Sequence, residues 1–182
     1  MMMTKERQQG AFEALKGEGG YKNTMASPRL VKVVVSSGVG KKRDKKQLEL
    51  INDRLMKITG QKPSSRPARI SIAAFKVREG DTVGYQITLR GARMYDFLDR
   101  LIHVALPRTR DFRGLKSSAV DDMGNLTIGI KEHTIFPETS DEEVKDLFGL
   151  AVTVVTTAKN KKDATAFFKH LGIPLRDEAP KK

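Results

Sequence analysis

A polar strand face is the part of this sequence best suited to binding another molecule. Residues 84–90, GYQITLR, alternate as a β-strand does, with apolar side chains on one face: Tyr85, Ile87 and Leu89. The opposite face carries an amide, a hydroxyl and a guanidinium group, from Gln86, Thr88 and Arg90. One face of an antiparallel sheet is commonly solvated, which is the plain alternative. The same donors suit the phosphates and 2′-hydroxyls of RNA.

Three arginines follow the next predicted helix, at about 92–106. Arg108, Arg110 and Arg113 lie just beyond Pro107, which ends the helix. One or two cations would complement the dipole at a helix C-terminus. Three within six residues exceed that need, and the guanidinium group matches phosphate geometry. We interpret the run as phosphate-binding.

A second cationic strand is predicted at 70–78, joined to the polar strand by a turn at Gly80. Its alternation places Lys76 and Arg78 on one face. If the two strands pair, like charges lie side by side, which is destabilising unless an anion neutralises them. A surface that follows an RNA backbone is the economical explanation.

The turn SGVGKK at 37–42 connects a buried strand to a helix and has three interpretations. The first is a nucleotide-hydrolysing phosphate loop, but the turn lacks the glycine spacing and the Ser/Thr of that motif. It also fits a plain tight turn, or a nest whose backbone N–H groups and lysines bind an RNA phosphate. Under the last interpretation, the backbone N–H groups of the turn and its lysines, Lys41 among them, are candidate contacts.

The remaining reactive side chains form no catalytic or metal-binding pattern. The three histidines lie at least 30 residues apart and so form no local ligand pair: His103, His133 and His170. No serine or threonine has a positioned base nearby in sequence. We therefore expect no enzymatic activity, no metal and no cofactor.

Positive charge is concentrated in the middle of the chain. The formal net charge is +12, and residues 29–116 alone hold 21 Lys/Arg against 8 Asp/Glu. Localised basic charge favours a nucleic-acid partner. A membrane surface is a rival, but the amphipathic helices are needed for the core. With no cysteine and no apolar run of signal or membrane-span length, we expect a cytoplasmic protein.

The pattern of elements predicts one α+β domain over residues 1–175, with a mixed, largely antiparallel sheet and helices packed on one face. Helices are predicted at about 4–16, 45–59 and 92–106, and strands at 30–36 and 126–132. The segment QKPSSRPAR is predicted to be a loop because it carries two prolines. Residues 176–182 are predicted to form a disordered tail.

Four segments carry a family resemblance: TGQKP at 59–63, FKVREG at 75–80, ALPRTRDFRG at 105–114 and KEHTIFPE at 131–138. In order and spacing, from about residue 21 to 175, the chain closely resembles the universal large-subunit ribosomal protein five family of bacterial type. The resemblance implies binding to 5S rRNA in the central protuberance, beside other rRNA and neighbouring 5S-binding proteins.

The residue patterns above and the resemblance together give the candidate binding residues. The rRNA-binding candidates are Ser36, Gly38, Lys41, Gln61, Lys76, Gln86, Thr88, Arg90, Arg108, Arg110 and Arg113. The candidates near P-site tRNA are Lys62, Arg66, Arg69 and Arg78. The acidic segment 133–143 is expected to meet a small-subunit protein across an intersubunit bridge. Ser36 departs from the family, which has asparagine there, and serine offers fewer donors.

Two other functions stay open on the sequence alone. One is an RNA-binding module outside the ribosome, such as a chaperone or regulator. The other, from a different class, is a phosphate-handling enzyme built around residues 37–42.

Overall fold

The computed structural model describes residues 3–19, 21–40, 44–110, 112–139 and 147–176. The helices are α1 (Thr4–Gly19), α2 (Lys45–Thr59), α3 (Ala92–Arg100) and α4 (Lys161–Leu171). The strands are β1 (Leu30–Gly38), β2 (Ser64–Pro67), β3 (Thr82–Leu89), β4 (Leu115–Lys116), β5 (Leu126–Ile130), β6 (Leu150–Thr156) and β7 (Leu175–Arg176). No helix in these ranges is both long and apolar enough to cross a membrane.

Five of the strands form a mostly antiparallel sheet in the order β2-β3-β1-β6-β5, and β4 pairs with β7 in a small parallel sheet. The predicted α+β fold class is confirmed. The chain forms two compact units. Unit 1 comprises Met1–Val33, Arg90–Ile128 and Thr153–Lys182, and unit 2 comprises Val34–Leu89 and Gly129–Val152.

In unit 2, helix α2 has the bounds that the sequence predicts, 45–59. Ile51, Leu55 and Ile58 recur at helical spacing and are buried. Gly60 ends the helix in the left-handed conformation, at φ 68°, which glycine adopts without the penalty of a Cβ atom. The hydroxyl of Thr59 donates to the carbonyl oxygen of Leu55 at 2.6 Å, so the last turn is also fixed by a side chain.

In unit 1, helix α3 widens at its end. The predicted helix at 92–106 is α-helical over Ala92–Arg100 and continues as a π-helix over Leu101–Ala105, before Pro107. Its apolar residues at helical spacing are buried: Met94, Phe97, Leu98, Leu101, Ile102 and Ala105. Helix α1 packs against α3 and α4, and the Thr4 backbone N–H donates to the Asp99 carboxylate at 2.8 Å.

Tyr21 ties the segment after α1 to α4 within unit 1. Its hydroxyl is hydrogen-bonded to Asp163, and burial, together with that carboxylate, raises the pKa of Tyr21 to about 12. Asn160 precedes α4 in an extended conformation but makes no side-chain cap.

The predicted hairpin between 70–78 and 84–90 is wrong. The antiparallel partner of β3 is β2, inside the segment that its two prolines marked as a loop. Residues 70–78 instead form a short excursion containing a 3-10 turn at Ala73–Phe75, closed by a bridge between Ile72 and Val77. An edge strand tolerates proline because one side of it needs no ladder partner, so the prolines did not exclude a strand.

Three further predictions fall at the boundaries of the described residues. Arg176, predicted to begin the disordered tail, instead ends strand β7. The candidate contact Lys41 lies outside the described residues, and the acidic segment 133–143 is described only through Thr139.

Candidate nucleic-acid interface

Strand β3 separates a buried face from a polar face, as its alternation predicts. Ile87 and Leu89 are 2% and 0% exposed, whereas Gln86 and Thr88 are half-buried. Tyr85 shares the inner face, where burial and the negative charge of Glu49 on α2 raise its pKa. The side chains of Gln86 and Thr88 therefore point away from α2 and the core.

Strand β1 extends this polar side of the sheet. Val35 and Ser37 are buried, and Ser36 between them is half-buried on the opposite face. We call this side of β1, β3 and β2 the outer face. The Ser37 hydroxyl donates to the Gly149 carbonyl oxygen at 2.7 Å, so Ser37 serves the interior and Ser36 is the serine available to a partner.

The turn predicted at 37–42 begins later than expected. Gly38 is still the last residue of β1, and the Val39 backbone N–H donates to the Val83 carbonyl oxygen at 2.9 Å. That amide is engaged within the sheet and is not part of an anion-binding nest. Among the described residues of this segment, the outer face offers the Ser36 hydroxyl and the exposed backbone of Gly38.

Strand β2 contributes Ser64, which the sequence did not single out, and Arg66, which the sequence assigned to the tRNA side. Ser64 lies opposite Gln86 and Arg66 opposite Gly84, and directly paired residues share a sheet face. Ser64 and Arg66 therefore join the outer face. A Cβ atom at Gly84 would lie 3.0 Å from the Ser37 carbonyl oxygen, so glycine permits the close approach of β3 to β1. Ser64 was missed because the pairing with Gln86 is not visible in sequence.

Gln61 links the end of α2 to the end of β3. Its side-chain amide donates to the Thr88 carbonyl oxygen at 3.4 Å. The register of β2 would place residue 62 opposite Thr88, but the paired residues of β2 begin only at Ser64. The Gln61 side chain bonds Thr88 beyond the end of this ladder, so one of its two N–H groups holds the strand that carries Thr88.

The 68–81 loop is held by its own hydrogen bonds. The backbone N–H of Ala68 donates to the Asp81 carbonyl oxygen at 2.8 Å, and the Arg78 N–H donates to the Asp81 carboxylate at the same distance. The Glu79 N–H donates to the Ser71 hydroxyl at 2.9 Å. The 68–81 loop thus has a defined shape although it is exposed to solvent.

This loop presents cations together with an aromatic ring. Arg69, Lys76 and Arg78 are exposed, and Phe75 is 72% exposed. Lys76 lies at φ 51°, in the turn of the loop and not on a strand beside Gln86. Alternation along the predicted strand 70–78 would place Phe75 on the face opposite Lys76, so this exposed aromatic group was not predicted.

The remaining predicted contacts lie in unit 1. Arg90 is exposed directly after β3, and Gly91 at φ 61° then starts α3. Arg108, Arg110 and Arg113 are exposed in the segment that follows the π-helix. The structure thus gathers Ser36, Gly38, Gln61, Gln86 and Thr88 within unit 2 and places the arginines of 90–113 in unit 1.

A cavity lies beside the start of β3 and the 68–81 loop. It has a volume of about 300 Å³ and is lined by Gly40, Leu48, Val77, Asp81, Thr82 and Val83. Its single carboxylate, Asp81, accepts the backbone N–H of Arg78. In the ranges that the structure describes, no three His, Asp or Glu side chains group as metal ligands.

Comparison with known proteins gives consistent matches along the chain. The family model described as ribosomal protein L5 matches residues 23–78. A second model, described as the C-terminus of the same ribosomal protein family, matches residues 82–175.

Individual relatives agree with the family models. A large ribosomal subunit protein uL5 from Trichlorobacter lovleyi is 47% identical over 171 residues, which cover 93% of this chain and 96% of the relative. The protein of the same name from Flavobacterium johnsoniae is 45% identical over 175 residues, covering 96% of each. The chain belongs to the ribosomal protein L5 family.

Proposed function

We propose that this chain is a structural component of the large ribosomal subunit and binds 5S rRNA through the outer face of β1, β3 and β2. The observation that carries the proposal is that β3 has one buried face and one polar face. Leu89 is buried, and the hydroxyl-bearing Thr88 beside it faces outward. The family relationship supports the ribosomal part of the proposal. The polar face supports RNA as its direct partner.

The chemistry of this face suits helical RNA. Double-stranded RNA is read through its phosphates, 2′-hydroxyls and shape, and not through stacked bases. The hydroxyls of Ser36 and Thr88 and the amide of Gln86 are matched donors and acceptors for 2′-hydroxyls. Arg90 follows directly in the chain and supplies charge for a phosphate. Arg108, Arg110 and Arg113 add phosphate contacts from unit 1.

Removal of the chain from cells tests this function. If it holds 5S rRNA in the particle, large subunits assembled without it should lack 5S rRNA as well. The measurement is the 5S content of gradient-purified large subunits after depletion, with re-expression of the intact chain as the control. Particles that keep a full complement of 5S rRNA without the chain would contradict the proposal.

The 68–81 loop carries a second proposed role, contact with tRNA in the ribosomal P site. Its support is the combination of an exposed aromatic ring, Phe75, with the cations Arg69 and Arg78 on a loop fixed by its own hydrogen bonds. Aromatic stacking and guanidinium groups together suit the irregular elbow of a folded RNA. Lys62 and Arg66 lie on the segment that leads into the loop.

Replacing the ring separates this role from 5S binding. Phe75→Ala should change the melting temperature only slightly, because the ring is 72% exposed, and should leave the 5S affinity unchanged, because Phe75 lies in the 3-10 turn of the 68–81 loop and not on β3. P-site tRNA should dissociate faster from ribosomes carrying the variant. Unchanged tRNA dissociation together with weakened 5S binding would assign the loop to 5S rRNA instead.

A bridge contact is also proposed for 133–143. Of this segment, His133 packs on Phe148 with ring centroids 4.2 Å apart, while Glu138 is exposed. The exposed acid is what a basic small-subunit protein would meet.

A further inference from the structure

The small parallel sheet of unit 1 brings together two cations that are far apart in sequence. Strands β4 and β7 pair with Leu115 opposite Leu175 and Lys116 opposite Arg176. The two leucines are half-buried, and the two cations are exposed. The sheet therefore has an inward apolar side and an outward side on which two positive charges face solvent.

Paired residues on neighbouring strands lie close, since the strands are only about 4.8 Å apart. Like charges directly opposite each other are destabilising. Within the described ranges, neither Lys116 nor Arg176 forms a salt bridge with a carboxylate. Among the described residues, no salt bridge neutralises this pair, so their repulsion is one that a bound anion would relieve.

A third cation, Arg113, lies beside the same sheet because Gly114, the residue after it, packs against Arg176. Gly114 adopts φ 92°, and a Cβ atom there would lie 3.5 Å from the Arg176 Cβ. Arg176 therefore passes directly over the Gly114 backbone, and the exposed Arg113 is the residue before it. The arginine run that the sequence singled out thus leads into a basic patch to which β7 contributes from the other end of the chain.

We propose that Lys116 and Arg176, with Arg113 beside them, bind the phosphodiester backbone of ribosomal RNA. The inference rests on the proposed function, since it adds a contact of unit 1 with the same class of partner. A guanidinium fork and an ammonium group on adjacent strands can hold one phosphate between them. A membrane surface fits less well, because the leucines of this sheet point inward and leave no apolar side to insert.

The proposal predicts opposite effects of one variant on stability and on binding. The variant Lys116→Gln combined with Arg176→Gln should melt no lower than the intact chain, and higher at low salt, because the repulsion is gone. Its affinity for RNA should fall about tenfold or more. The salt slope should become shallower by about one unit for each lost phosphate contact.

A matched control carries Lys22→Gln and Lys159→Gln, two exposed cations of unit 1, and removes the same net charge. Both variants are titrated with isolated 5S rRNA and with large-subunit particles lacking this protein. If the patch variant loses affinity for isolated 5S rRNA, the patch binds 5S rRNA. If it loses affinity only for the large-subunit particles, the patch binds the remaining rRNA.

Patch variants that bind like the control in both arms would overturn the proposal. A lower melting temperature for the patch variant would do so too, because it would show that a carboxylate of the chain already neutralises the pair. Failure of the patch proposal can be told apart from failure of the proposed 5S binding. In the second case, the intact chain itself would show no preference for 5S rRNA.

Discussion

Leu89→Ala is expected to lower the free energy of unfolding by about 2–5 kcal/mol, the usual cost of truncating a buried leucine. Leu89 is 0% exposed on the inner face of β3, so the substitution removes apolar contacts and leaves a cavity. Because Leu89 does not lie on the outer face, RNA affinity should fall only as far as the folded fraction falls. The measurement is a denaturant titration paired with a 5S rRNA titration.

The adjacent residue provides the matched control. Thr88→Val keeps the shape and strand propensity of the side chain and deletes one hydroxyl on the outer face. Its stability should change by less than about 1 kcal/mol, while RNA binding weakens by about 0.5–1.5 kcal/mol, the net value of one hydrogen bond. If Thr88→Val unfolds the protein and Leu89→Ala does not, the RNA-binding surface is assigned to the wrong side of the sheet.

Gly124→Ala is expected to destabilise unit 1 by about 2–5 kcal/mol. Gly124 adopts φ 80°, where an L-residue pays about 1–2 kcal/mol. The added Cβ atom would also lie 2.8 Å from the Ala158 carbonyl oxygen, and such overpacking costs about 1–3 kcal/mol. Thermal unfolding of the purified variant measures the sum.

Gly10→Ala is the control for that substitution, within the same unit. Gly10 lies inside α1 with no atom within 4 Å of an added Cβ. Alanine in a helix interior is favoured over glycine by about 0.5–1 kcal/mol, so this variant should be slightly more stable. Equal losses at both positions would show that crowding at Gly124 is not what opposes the side chain.

Local patterns in the sequence predicted those elements whose apolar residues all face one core. Helix α3 and the alternation of β3 are of this kind, because periodicity alone shows which side is buried. The end of α2 was predicted for a similar reason, since Gly60 marks a left-handed position.

Long-range pairing was not predictable in the same way. The strand β2 has no apolar alternation, because it lies at a sheet edge and is exposed on both faces. Ile70 and Ile72 do alternate, yet both are exposed in the 68–81 loop. The pairing of Lys116 with Arg176 joins segments that no local pattern relates.

The outer face was therefore predicted in part. Gln86 and Thr88 follow from alternation, and Ser36 from the resemblance to a family. Ser64 required the register of β2, and the role of Gln61 in holding β3 required its hydrogen bond to Thr88. Side chains that meet only through tertiary structure carry no signal in a single sequence.

Titration of the purified chain with 5S rRNA, beside an unrelated RNA hairpin of equal length, at increasing salt tests the central claim most directly. We expect at least tenfold tighter binding to 5S rRNA, with log affinity falling by roughly 0.7–0.9 per phosphate contact for each unit of log salt. Equal affinity for the two RNAs, or an affinity that does not change with salt, would contradict the account.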